Sequence, residues 1–252
     1  MSYKRRKTIR RVAITTAIFA TVGIGVSIAI IAAGGGFSSP GPSIFNPPTA
    51  ADIWKVGDHI QDGMALEYNL TSRDELGSLE SALVLMNFDQ IGENWSVRFM
   101  VTNGTGQPPV NSTVMMSKEL TREGQLDESF RPYFENIQSS IFAVRDMEYG
   151  ESPKYLVVGA PWNTIFVGSS SVTVRVTNEE SVETPAGTFD SFVLSYKLAE
   201  KTSKIWVVRD MPLPVKAEVY DAEDKLLYKY ELTGASGVTS SAAAAKAIGS
   251  SL

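Results

Sequence analysis

Hydrophobic and polar residues alternate through most of the middle of the chain. Met64, Leu66, Tyr68 and Leu70 are separated by Ala65, Glu67 and Asn69, and Trp95, Val97, Phe99 and Val101 repeat the period, as do Val172, Val174 and Val176. The last third carries it three more times: Phe192, Leu194, Tyr196 and Leu198; Leu213, Val215, Ala217 and Val219; Leu226, Tyr228, Tyr230 and Leu232. A period of two puts one face of each strand against a core and the other in water, as in antiparallel sheets. One segment departs from it. In DESFRPYFENIQSSIFAV, the residues Tyr133, Phe134, Ile137, Ile141, Phe142 and Val144 recur at spacings of three and four, which predicts one amphipathic helix over Pro132–Val144 with the proline in its first turn. The simplest arrangement is a mainly β (α+β) domain, a curved antiparallel sheet with this helix lying across one face.

Turn chemistry supports the same picture. Pro185 fixes φ and Gly187 can take a positive φ, so TPAGTF predicts a corner that reverses strand 171–178 into strand 189–199. YDAEDK, Tyr220–Lys225, joins the last two strands in the same way.

At the N-terminus the pattern changes. Val12 to Ala33 is 22 residues without a charge, and a helix crossing the ~30 Å hydrocarbon layer needs about 20. Secretory signals have a shorter apolar region, of about 7–15 residues, so an uncleaved single-pass transmembrane helix is expected here. Lys4, Arg5, Arg6, Lys7, Arg10 and Arg11 precede it and no basic residue follows before Lys55, which orients the N-terminus toward the cytoplasm. The domain plan is then a basic tail over 1–11, an anchor helix over 12–33, a Gly/Pro/Ser linker over 34–49, an extracytoplasmic β-rich domain over 50–233, and a small-residue C-terminal tail over 234–252.

Charge follows the same division. Six of the 23 basic residues lie before the apolar stretch, which leaves 17 against 28 acids beyond it. That acidic balance argues against nucleic acid as a partner. The chain has no cysteine, which excludes disulfides, thiolate metal sites and thiol nucleophiles.

Candidate chemistry is sparse. His59, the single histidine, sits with Asp58 and Asp62 in VGDHIQDG. No second imidazole is available to build a metal site with them, so a polar turn is expected. Glu179, Glu180, Glu183 and Asp190 bracket the TPAGTF corner without an aromatic sugar platform, and a solvated face is expected there rather than a carboxylate pair for hydrolysis. No Gly-x-Ser-x-Gly elbow or phosphate loop occurs. No catalytic residue, metal site or cofactor is therefore assigned, and no enzyme is expected. Four Asn-x-Ser/Thr triplets, at Asn69, Asn94, Asn103 and Asn111, are glycosylation candidates, all on the expected outer side.

KIWVVRDMPLPVKAEVYDAEDKLLYKYEL, Lys204–Leu232, resembles the C-terminal hairpins of the lipoprotein-carrier (LolA/LolB-like) half-barrels, and TPAGTFDSFVLSYK resembles the corresponding turn and strand of related extracytoplasmic proteins of unknown function. The resemblance covers residues 182–232. It implies a half-barrel whose concave face is apolar, covered by a helix, and used by related members for acyl chains. On that reading Tyr196, Leu198, Val215, Ala217, Tyr228 and Tyr230 share the concave surface, and the helix covers it with Phe134, Ile137 and Ile141. Carriers of that kind are soluble or lipid-anchored, whereas an anchor helix would hold this chain in place. The expected function is non-catalytic binding of an apolar or lipid-like ligand at a membrane. The alternative is a structural subunit whose sheet edge and anchor dock onto another membrane or envelope protein, with Gly25, Ala29 and Ala33 as a small-residue helix face.

Overall fold

A computed structural model of the protein describes residues 48–238 other than 75, 105, 148–152 and 168–169. The expected span Val12–Ala33 and most of the C-terminal tail lie outside the described residues. Among those described, no helix is long and apolar enough to cross a membrane.

Among the described residues, eleven strands form one antiparallel sheet. Five come first: β1 (Met64–Arg73), β2 (Leu79–Ile91), β3 (Asn94–Asn103), β4 (Val110–Met116) and β5 (Arg122–Glu123). Two short helices follow, α1 (Arg131–Ser139) and α2 (Ala143–Asp146). The remaining strands are β6 (Pro161–Val167), β7 (Ser170–Thr184), β8 (Gly187–Lys197), β9 (Thr202–Val207), β10 (Lys216–Tyr220) and β11 (Leu226–Ser236). Their spatial order is β5-β4-β3-β2-β1-β11-β10-β9-β8-β7-β6. Each half is therefore a simple meander. The two meet at the centre, where β1 pairs with β11, and the chain between β5 and β6 passes from one edge of the sheet to the other, carrying both helices.

The predicted alternation is present in the strands. In β1 every second residue from Met64 is buried, and Val97, Phe99, Val174, Val176, Tyr230 and Leu232 are buried likewise. Cross-strand pairs join these positions into continuous rows, such as Tyr230 opposite Leu70 and Leu70 opposite Ala82. The helices cover this face, with Phe99 of β3 touching the rings of Phe130, Phe134 and Phe142 at 5.7, 5.8 and 6.4 Å between centroids. The sheet is strongly coiled, for the β7–β8 corner reaches back to β11, where the Ala186 N–H donates to the Leu232 carbonyl at 3.2 Å.

Three expectations need correction. The single helix Pro132–Val144 is two helices, because Ser140 leaves helical geometry at φ −120°, ψ −82° and its hydroxyl donates to the Asn136 carbonyl at 2.5 Å, competing with the backbone ladder. Leu213 and Val215 are fully buried but precede β10, which begins only at Lys216, since Pro212 and Pro214 cannot donate to a ladder. Finally, β8 is buried on both faces from Ser191 to Tyr196, where simple alternation would leave one face in water.

The segment leading into β1 is tied down by long-range bonds. Trp54 donates twice: its backbone N–H to the Lys154 carbonyl at 3.0 Å and its indole N–H to the Met211 carbonyl at 2.9 Å. Arg209 donates to Ala51 O at 2.6 Å and pairs with Asp52 at 3.2 Å. Gly57 fits under the β4–β5 turn. A Cβ there would lie 2.1 Å from the Lys118 carbonyl oxygen, at a φ of +83° that favours glycine in any case. In the same turn Leu120 is fully buried at φ +56°, and the buried Arg145 of α2 donates to its carbonyl at 2.8 Å.

Candidate functional site

Glu80 and Ala82 of β2 and Leu70 of β1 face the helices, because they lie in register with one another and with the buried rows: Ser72 opposite Glu80, Leu70 opposite Ala82, Ala82 opposite Asn103, and Val84 opposite Val101. Helix α1 crosses above these positions without closing onto them. The result is a cleft of about 330 Å³ between α1 and strands β1–β3. Leu70, Ala82, Val84, Val101 and Ile137 supply its apolar wall, and Pro132 and Tyr133 its helical lip. Glu80, Asn103 and Asn136 are the polar residues at its opening. Leu70, Val84, Val101 and Ile137 are buried, Ala82 is half-buried, and Glu80 is exposed. The space lies within the range of about 300–1,000 Å³ usual for small-ligand sites.

The nine residues expected to line a cavity are distributed differently. Phe134, Ile137, Ile141, Tyr196, Val215, Ala217, Tyr228 and Tyr230 are all buried in one continuous core, and Leu198 is half-buried at its margin. Ile137 is the member of this set that lines the cleft. Ala217 stands between Ile205 and Tyr230, and the Tyr230 ring meets Tyr68 edge-on at 5.6 Å and stacks with Tyr228 at 6.1 Å. Burial pushes the phenols of Tyr68, Tyr196, Tyr228 and Tyr230 upward, so all four are neutral at physiological pH. Tyr68 donates to the Pro214 carbonyl at 3.1 Å. Ala217 and Tyr230 also border a shallow groove of about 310 Å³ on the opposite side, whose walls are Asn69, Thr71, Lys216, Glu218, Lys229 and Glu231. There lysines and glutamates face each other across strands, Lys216 opposite Glu231 and Glu218 opposite Lys229, as on a solvated sheet face.

The other candidates occupy turns and strand ends. Asp58, His59 and Asp62 are exposed; the Asp62 carboxylate accepts the Gln90 backbone N–H at 2.7 Å, and no metal-binding group of residues occurs among the described residues. Glu179, Glu183 and Asp190 are exposed along β7 and β8. Glu180 is not free. It accepts the Trp206 indole N–H at 2.6 Å and the Asn178 amide at 2.8 Å, and the indole bond foremost holds its carboxyl below the ordinary value. Lys204 and Lys216 lie over the Trp206 ring at 5.9 and 5.8 Å. Of the glycosylation candidates, Asn69 and Asn111 are exposed, Asn94 donates to Glu123 at 2.5 Å, and Asn103 belongs to the cleft.

Sequence reasoning did not find Glu80 or Asn136. The signal for Glu80 was present, a charge at the inward parity of a strand, but β2 itself was not recognised.

Residues 167–232, about a quarter of the chain, match the DUF3108-like family. No curated protein matches the chain. Among solved structures, a protein of Bacteroides fragilis with a YmcC-like fold is 13% identical over 74% of this chain and 100% of its own, with a TM-score of 0.36. MucB is 13% identical over 70% of this chain and 53% of its own (TM-score 0.34), and the Pseudomonas aeruginosa MucA/MucB complex is matched at 14% identity over 72% and 54% (TM-score 0.33). The chain thus spans about half the length of MucB.

Proposed function

We propose that residues 48–238 form an extracytoplasmic, non-catalytic binding domain of half-barrel type that takes an apolar chain into the cleft under α1. The cleft carries this reading. Its floor is apolar, its rim is polar, and it lies where a helix and a sheet fail to close on each other. The 12–33 stretch would hold the domain at the membrane, with the basic N-terminus inside. This placement rests on the charge and hydropathy of the N-terminal residues, and the DUF3108-like match falls on the part of the chain that resembles extracytoplasmic half-barrels.

The test is a substitution that fills the cleft. Ala82→Trp should abolish uptake of an uncharged fluorescent alkyl probe while the thermal transition of the chain is kept. Undiminished uptake by that variant, or none by the unaltered chain, would remove the reading.

A docking subunit is the second reading, and the two edges of the sheet favour it. Edge strand β5 is two charged residues long, the usual protection against pairing, whereas edge strand β6 is seven residues without a charge and exposes 74% of Phe166. If a partner strand adds there, Phe166→Lys should release it without affecting the alkyl probe.

A further inference from the structure

We infer that the cleft selects amphiphiles with a cationic, hydrogen-bond-donating head, of the alkylammonium type, over those with an anionic head. This rests on the apolar-cleft reading above and goes on to specify the ligand. The polar groups at the opening decide it. Glu80 is an inward-facing carboxylate at the end of an otherwise apolar row, and it has neither an ion pair nor a hydrogen bond among the described residues. Around it stand the Asn103 and Asn136 side-chain amides and the phenol of Tyr133. No Lys, Arg or His lines the cleft. Arg73 and Arg131, which adjoin lining segments in the sequence, are engaged: Arg73 donates to the Leu226 and Gly77 carbonyls, and Arg131 is paired with Glu128.

A fatty-acid carboxylate or lipid phosphate entering this space would put its charge beside Glu80 with no cation to offset it, and like charges at such range repel. An ammonium head instead donates to Glu80 and to the amide oxygens of Asn103 and Asn136, while its chain lies along Ala82 and the helical lip of Pro132 and Tyr133. An ion pair with an exposed carboxylate is worth about 0.5–1 kcal/mol, or roughly two- to fivefold in affinity.

Octylammonium and octanoate, with the same chain and opposite heads, test the inference by isothermal titration calorimetry. The full chain is held in zwitterionic lipid nanodiscs, with empty discs as the blank. Octylammonium should bind about two- to fivefold more tightly than octanoate, Glu80→Gln should remove most of the difference, and Glu80→Lys should reverse it. Asn136→Trp, which blocks the opening at the lip of α1, should weaken both ligands in a chain that still folds. Equal binding of the two by the unaltered chain, or a preference indifferent to Glu80, overturns the head-group inference and leaves the cleft as a binding site. Binding of neither ligand, or binding untouched by Asn136→Trp, overturns the cleft reading as well.

Discussion

Two glycines with positive φ separate conformational strain from crowding. Gly57 at +83° would bring a Cβ against the Lys118 carbonyl, whereas Gly187 at +143° has open space around the same position. Gly57→Ala should therefore destabilise the domain by about 2–4 kcal/mol, since both backbone strain and a clash with main chain apply. Gly187→Val should cost about 1 kcal/mol from strain alone. Urea denaturation of both variants checks the ranking, and an equal cost would mean that the 117–121 turn shifts aside. Tyr220 offers a pH-dependent counterpart. Its hydroxyl donates to the Glu218 carboxylate, and that bond, with burial second, pushes its pKa from 10.0 to about 12. For a group raised on folding, the contribution to stability is complete below the unfolded value and lost as pH rises through the folded one, here between about 10 and 12. Glu218→Gln should bring phenolate formation to lower pH, read from the absorbance change in an alkaline titration.

Among the elements, α2 is joined to the β4–β5 turn by one side chain. Arg145 is 8% exposed, joins α2 to the strained Leu120 turn through the Leu120 carbonyl, and reaches Asp146 only at its outer side. Arg145→Met keeps much of the volume but strands a buried acceptor, at a cost of about 1–3 kcal/mol; hydrogen exchange should show α2 and the 117–121 turn opening together. A variant as stable as the original would assign that joint to packing instead. Which elements could be read from the sequence depended on their burial. Strands β1, β3 and β11 bury one face and so alternate cleanly. In β2, Leu83 and Leu85 are half-buried on the face opposite Val84 and Met86, so ALVLMNF reads as a continuous apolar run and conceals its period. Strand β8 hides its period by burying both faces. The helix break at Ser140 carries neither Gly nor Pro, and its cause is a hydroxyl competing for a backbone carbonyl. The cleft was legible only in part, through Ile137. Glu80, Asn103 and Asn136 come from two strands and a helix, and only strand register and helix placement bring them together, neither of which a linear pattern contains.

At the scale of the whole molecule, the central pair of the sheet is made from the first long strand and the last. Ala65 faces Ser236 and Leu70 faces Tyr230, so no segment of the chain short of β11 can close the gap between the two meanders. A chain ending at Asp224 should retain two partial sheets with open inner edges and lose its cooperative thermal transition, measured by circular dichroism; a sharp transition in that truncation would show that the halves are independent. For a chain synthesised from its N-terminus, this topology has a temporal consequence. The β1–β5 half emerges first with its β1 edge unpaired, and it must wait for nearly the whole remaining length before that edge is covered. Sheets dominated by such distant pairings complete folding in milliseconds to seconds rather than microseconds. During that interval Leu66, Tyr68 and Leu70 stand beside an exposed ladder, a surface to which holding chaperones would bind and from which β11 would release them.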